Sequence, residues 1–476
     1  MADYFHLEKR GSTASKEILC GMTTFLTMSY ILFVNPSVLS SAGMPSTAVF
    51  VATALAAAIC SIVMGLVANT PFGMAPGMGL NTFFAYVVCA GMGFHWREAL
   101  AMIFLTGILH VFIMATGLRK SLVNAIPPHL KLSFGMGLGI FISYIGLKSA
   151  GFLIFTTAPG QFEMFGNGAI ISNSSVVPGL VRSLSAPHVI ALVSLAVMML
   201  LLALEKKTNE TYAALPVGIL AATFVGIPLQ VTDIIGVKFI NLSAVLEIKE
   251  VCLAFFGDPG LLSLASSPEK LLRVSFVLLI LLVTNVMDSV GTIIGIGQMQ
   301  NSEIFSEQDM QEFDRKKGCS RLDKTLLSNS FGCFIAPLFG SSTVTTFMES
   351  ITGIVAGGRT GLTSLTVGVM FLLCLPLANF ISIIPAPAIA PALIVAGAFM
   401  IPLAGRINWN NYEEAFPAFI TAICIPLTYG IVYGIAAGAI AHVLIQIFLG
   451  KWRSIHPMLY LISGIFLLIV CVESWV

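Results

Sequence analysis

Long apolar stretches with short polar breaks run through this chain. Runs of about 17–25 apolar residues, enough to cross a bilayer core as helix, fall near 20–39, 46–68, 97–116, 131–152, 187–204 and 211–229. A second set follows near 274–298, 325–340, 360–380, 385–403, 413–429 and 430–449. Two further stretches, about 72–92 and 341–357, are apolar but interrupted, which brings the expectation to fourteen passes. A last apolar piece, Pro457–Val472, either lies at the interface or adds a pass. The long connection at about 230–273 leaves seven passes on each side. An odd number per half forces the halves into opposite orientation, so the pattern predicts an all-α polytopic membrane protein built as a 7+7 inverted repeat.

The interrupted stretches occupy corresponding places, passes three and ten. The third reads NTPFGMAPGMGLNTFFAY and the tenth FGSSTVTTFMESITGIVAGG. Pro71, Pro76 and four glycines (Gly73, Gly77, Gly79 and Gly91) disfavour helix in the first, and the β-branched run Thr343–Thr346 favours extended backbone in the second. Extended chain at membrane depth must be buried in protein or paired. Two short strands that pair with each other are therefore predicted, each leading into a half-helix that becomes regular around Asn81 or Glu349. Later in each half a proline-rich start (Pro127–Pro128 and Pro385–Pro391) opens a pass.

Composition and charge sharpen this picture. The chain of 476 residues is 57% hydrophobic and 10% charged, with mean hydropathy +0.94. Soluble domains carry about 25% charged residues, so nearly the whole chain belongs in the membrane. With the N-terminus inside, 17 Lys and Arg fall in cytoplasmic segments and 7 outside, as the positive-inside rule requires. The expected organisation is a cytoplasmic N-terminus at 1–19, a first repeat at 20–229, an extracytoplasmic connection at 230–273, a second repeat at 274–450 and a tail at 451–476. The polar start MADYFHLEKRGSTASKE lacks the apolar core of a signal peptide. The nine cysteines are scattered, without CxxC or metal-ligand spacing, and are expected as buried hydrophobes. A net charge of +1 gives no sign of nucleic acid as a partner.

Two acids stand deep in apolar runs: Asp288 in LLVTNVMDSVGTIIG and Glu349 in TTFMESITG. A charge at the bilayer centre costs about 2.5–3.5 kcal/mol on insertion scales, so such residues mark a substrate or proton site. A neutral carboxyl that ties helices together is the plainer alternative. Gly, Ser and Thr flank both acids at breaks in the helical pattern, which favours a site.

These residues carry a resemblance. TFLTMSYILFVNP, ANTPFGMAPGMGLNTFFAY, the pass holding MDSVGTIIG, and FGSSTVTTFMESITGIVAGGRTGLTSL resemble the AzgA-like purine permeases, a branch of the nucleobase:cation symporter-2 family, from about Gly11 to Lys451. The resemblance implies separate core and gate domains, and purine uptake coupled to protons across the cell (inner) membrane. It assigns substrate binding to Asp288 in pass eight, Glu349 in pass ten and Asn81 in pass three. Related uracil and xanthine carriers have a second polar or ionisable group four residues after the pass-eight acid. That place is Thr292 here, so a proton relay through it is not expected. Met287 stands where relatives mostly have Phe.

A purine base is flat and neutral, edged with N–H donors and ring or carbonyl acceptors. Carboxylates can accept its N–H groups in charge-assisted bonds, Asn81 offers both donor and acceptor, and backbone N–H groups around Ser350 would complete the set. Phe83, Phe84, Phe347 and Phe25 are the stacking candidates. Burial disfavours a charged carboxyl, and a neighbouring one adds to this, so Glu349 is the expected coupling acid and Asp288 the principal base ligand, with proton carriage by either left open. The partners expected are a purine base, a proton and the lipid bilayer, with a homodimer left open and no cofactor or metal. His110 and His442 read as hydrogen-bonded packing residues, His129 and Lys131 as snorkelling to headgroups, DRKKGCSRLDK as a solvated loop, and Glu413 and Glu414 as loop carboxylates. Competing readings are an uncoupled facilitator or channel for a small neutral solute, and a carrier of the same fold for uracil or xanthine. An intramembrane enzyme would need a motif such as HExxH, which the chain lacks.

Overall fold

The predicted passes recur in order in the computed structural model, which describes residues 2–116, 127–156, 162–164, 170–172, 177–181, 183–208, 213–232, 242–297, 304–305, 320–428, 431–457, 459–460, 463–464 and 467. The first half comprises Ala14–Ser40, Ser46–Ala68, a strand Met74–Pro76 leading into Met78–Gly91, Trp96–Ala115, Pro128–Ser149, Ala186–Thr208 and Ala214–Gly226. The second comprises Pro268–Gly297, Arg321–Ile335, a strand Val344–Thr346 leading into Ser350–Val355, Gly361–Leu373, Ala386–Arg406, Tyr412–Leu427 and Ile431–Phe448. The two half-helices start at Met78 and Ser350, so the first begins three residues ahead of Asn81.

Packing repeats under a shift of seven passes. Pass four lies on nine as eleven lies on two, five on thirteen as twelve on six, and six on seven as thirteen on fourteen. Passes one to four and eight to eleven form one bundle, the core; the rest form a second, the gate. Small residues permit the closest approaches. A Cβ at Gly107 would stand 2.7 Å from Phe334 Cα, and one at Gly368 would stand 2.7 Å from the Ala58 carbonyl oxygen. Inside the gate, passes five and twelve start at their prolines and meet at Gly139 and Gly397.

Several local expectations need correction. The hydropathy pattern predicts only helices and one strand pair, but antiparallel pairs Leu153–Thr156 with Val177–Leu180 and Phe162–Met164 with Ile170–Ser172 stand between passes five and six. His129 does not snorkel: it is buried, with Nε2 3.2 Å from His442 Nδ1 on pass fourteen. His110 is fully buried, and neither ring nitrogen has a hydrogen-bond partner among the described residues. Arg321 is no free loop residue, since it donates to the carbonyls of Asn69 (3.0 Å), Ile304 (2.5 Å) and Arg359 (2.9 Å). Glu413 accepts from Lys451 Nζ at 2.5 Å and Gln446 Nε2 at 3.1 Å, so it joins the start of pass thirteen to the end of fourteen. The loop charges Arg119, Lys120, Arg182, Lys238, Arg315, Lys316 and Lys317, the side chain of Met287 and most of Pro457–Val472 lie outside the described residues.

Candidate functional site

The two strands cross at the centre of the core. They pair antiparallel, Met74 with Thr346, Ala75 with Thr345 and Pro76 with Val344. The ladder extends outward: the Gly77 N–H donates to the Thr343 carbonyl and the Phe347 N–H to the Gly73 carbonyl, both at 3.0 Å. A Cβ at Gly77 would stand 3.1 Å from Thr345 Oγ1, so glycine there lets the crossing chains approach. Side chains from neighbouring passes hold each strand. Ser61 of pass two accepts from the Met74 N–H at 2.9 Å, and Asn329 of pass nine accepts from the Thr346 N–H at 2.7 Å and its hydroxyl at 2.9 Å. Asn329 in turn donates to Ser289 Oγ at 2.5 Å. Short extended backbone is thus fully housed in protein, as membrane depth demands.

A cavity of about 320 Å³ lies between this crossing and the gate, a size that suits a small ligand. Its core wall carries Tyr30, Asp288, Thr292, Thr345, Phe347 and Glu349; its gate wall carries Leu138, Ile142, Ala396, Phe399 and Met400. Both carboxylates are held. Asp288 is hydrogen-bonded by the side chains of Thr345 and Thr292. Tyr30 donates its hydroxyl to Glu349 Oε1 at 2.6 Å, and the Glu349 N–H bonds its own carboxylate. Tyr30 is fully buried at the bend between Ala14–Met28 and Ile31–Ser40, its ring centroid 6.5 Å from that of Phe347.

The cavity gathers Asp288, Thr292, Glu349 and Phe347 but not Asn81, Ser350 or Phe83. Asn81 Nδ2 donates to Asn35 Oδ1 at 2.6 Å and its Oδ1 accepts from Ser342, so its amide braces the wall from behind. The Ser350 N–H donates to the Phe347 carbonyl at 3.2 Å, and its hydroxyl accepts from the Gly73 N–H at 3.0 Å. Ser350 therefore staples the second half-helix to the first strand. Phe83 and Phe84 are core residues, and Phe25 meets Phe371 edge-on at 5.1 Å. Sequence reasoning missed Tyr30, Thr345 and Glu205 as cavity residues. A tyrosine in the middle of an apolar pass was the available signal for the first.

Comparisons with known proteins bear on the family and the fold. A family model described as a permease family, Xan_ur_permease, matches residues 15–437. The guanine/hypoxanthine permease PbuG of Bacillus subtilis is 33% identical over 477 residues, covering 98% of this chain and 99% of its own. The adenine permease AdeP of Escherichia coli is 34% identical over 464 residues, covering 98% and 94%. Among solved structures, the transmembrane domain of the cyanobacterial bicarbonate transporter BicA superposes with a TM-score of 0.57 at 15% identity, over 89% of this chain and 97% of that one. The likeness to BicA concerns the fold alone.

Proposed function

We propose that this chain, which belongs to the xanthine/uracil permease family and is a transporter rather than an enzyme, carries purine nucleobases across the membrane together with a proton. The observation that carries this reading is the pair Asp288 and Glu349 on one wall of a small cavity whose facing wall is almost wholly apolar. A flat neutral base would lie between Phe347 and the gate while its N–H edge meets the carboxylates. Thr292 and Thr345 support Asp288, the principal ligand, and Glu349, held by Tyr30, carries the coupling proton. No Lys, Arg or His lines the cavity among the described residues, an arrangement that suits a neutral solute better than an anion. The guanine/hypoxanthine permease and the adenine permease among its relatives support a purine over a pyrimidine.

The orientation belongs to the same proposal. The N-terminal segment at 1–19 and the tail from Lys451 are cytoplasmic and the 230–273 connection extracytoplasmic, as the 17-to-7 distribution of Lys and Arg favours. The test is binding of labelled hypoxanthine and adenine to purified protein, followed by uptake into proteoliposomes with and without an imposed pH gradient. Saturable binding and gradient-driven accumulation are the expected results. Equilibration without accumulation would mark a facilitator, and binding of uracil but of no purine would overturn the substrate.

A further inference from the structure

The cavity has a third carboxylate that the site above does not use, and it stands on the gate. Glu205, at the end of pass six, lines the cavity together with Leu202, Ala214 and Leu215 of passes six and seven. These residues lie at the ends of passes six and seven nearer the face where pass one begins and pass fourteen ends. Thr352, beyond Glu349, and Met400, late in pass twelve, line the cavity towards the same face. The cavity is thus lined by Asp288 and Glu349 from the core and by Glu205 from the gate.

The inverted repeat makes this acid conspicuous. The repeat partner of the six-to-seven turn is the thirteen-to-fourteen turn, which serves the opposite face. Residues 418–433 there read AFITAICIPLTYGIVY, with no Asp, Glu, Lys, Arg or His. The two helices packed against pass six, Ala214–Gly226 and Ala386–Met400, carry no acidic or basic side chain either. Among the described residues, the charged groups on this helix end are Glu205 itself and the exposed Lys206 and Lys207, and Asp288 and Glu349 line the cavity from the core. The six-to-seven turn thus carries a cavity-lining carboxylate and its repeat partner carries none, an asymmetry that the two-fold repeat itself does not call for.

We infer that Glu205 is the gate's proton acceptor, serving the face at which pass six ends. It rests on the coupled purine reading and adds to it where the proton goes. The O–H bond of a protonated core acid breaks, the proton passes through cavity water to a Glu205 carboxylate oxygen, and from there it leaves to bulk water. Because Glu205 belongs to the gate while the other acids belong to the core, rearrangement of the two bundles changes which acids share one water-filled space. That gives the proton step a side.

Full-length Glu205→Gln and Glu205→Asp in proteoliposomes test this, with labelled hypoxanthine and adenine as probes. Glu205→Gln should bind base and exchange it at equal pH as the wild type does, yet lose about tenfold or more of its pH-driven accumulation. Glu205→Asp should recover most of the accumulation, which a space-filling role would not predict. Should Glu205→Gln fail to insert, Glu205→Ser gives the same reading. Wild-type accumulation in the uncharged variant overturns the inference, as does loss of base binding in a folded variant. If the wild type itself binds no purine, the substrate reading falls and this inference with it.

Discussion

Across the cavity, Tyr30, Asp288, Thr345 and Glu349 on the core wall face Leu138, Ile142, Ala396 and Phe399 on the gate wall. The core groups already hold one another: Thr345 and Thr292 bind Asp288, Tyr30 binds Glu349, and Asn329 pins the second strand. None of these bonds reaches the gate, so the arrangement of donors and acceptors survives whatever the gate does. Near the cavity the gate offers packing but few directional bonds, through an approach of Gly139 and Gly397 so close that a Cβ at Gly139 would stand 2.6 Å from the facing carbonyl oxygen. On the proposed reading, recognition resides in one bundle and freedom to shift in the other, the division that rocking or sliding transporters need. Breaking either wall should give a different failure.

The largest effect is expected at Asp288. Asp288→Asn removes the charge and turns an amide N–H towards Thr292, Thr345 or the base. Losing a charge-assisted bond in a dry site costs about 1.5–3 kcal/mol, or roughly ten- to a hundredfold in affinity. Purine binding to the purified variant should fall by that amount and transport with it; wild-type affinity would remove Asp288 from the recognition wall. Next comes Glu349→Gln, which still accepts from Tyr30 but cannot titrate. Gradient-driven accumulation should vanish while counterflow of base persists, and accumulation at the wild-type level would show that the proton rides elsewhere.

How much of this wall could be read from the chain follows from which forces act locally. The passes were legible because hydrocarbon tolerates only satisfied backbone, and the strand crossing because Pro76, Gly77 and the Thr343–Thr346 run conflict with helix. Asp288 and Glu349 announced themselves by being charged where charge is costly. What could not be read were partnerships across hundreds of residues: Tyr30 with Glu349, Asn35 with Asn81, Ser350 with Gly73. Asn81 and Ser350 face away from the cavity because tertiary bonds claim their polar groups, a matter that side-chain chemistry alone leaves open. Glu205 was overlooked because an acid followed by Lys206 and Lys207 reads as the solvated end of a helix.

The gate side of the comparison is broken at Gly397. A Cβ there would fall on the Gly139 carbonyl oxygen of pass five, so Gly397→Val must push passes five and twelve apart. Overpacking of this kind costs about 1–3 kcal/mol, to be read as a lowered thermal unfolding midpoint of the purified protein. Base affinity should stay near wild type while the exchange rate drops, because the ligand contacts lie on the core. A fall in affinity equal to that of Asp288→Asn would mean that the gate shapes recognition after all.

The smallest effect, and the most discriminating, belongs to Tyr30. Tyr30→Phe keeps the ring, its packing near Phe347 and the bend it occupies, and deletes only the hydroxyl bonded to Glu349 Oε1 at 2.6 Å. A single side-chain hydrogen bond contributes about 0.5–1.5 kcal/mol net, so affinity should weaken roughly two- to tenfold. The two residues are in contact, so their effects should not add. In a Glu349→Gln background, Tyr30→Phe should weaken binding less than it does alone. Equal losses in both backgrounds, measured by titration of purine into the four purified proteins, would show that Tyr30 acts on the base and not through the charge of Glu349. Tyr30 would then count as a ligand in its own right on the recognition wall.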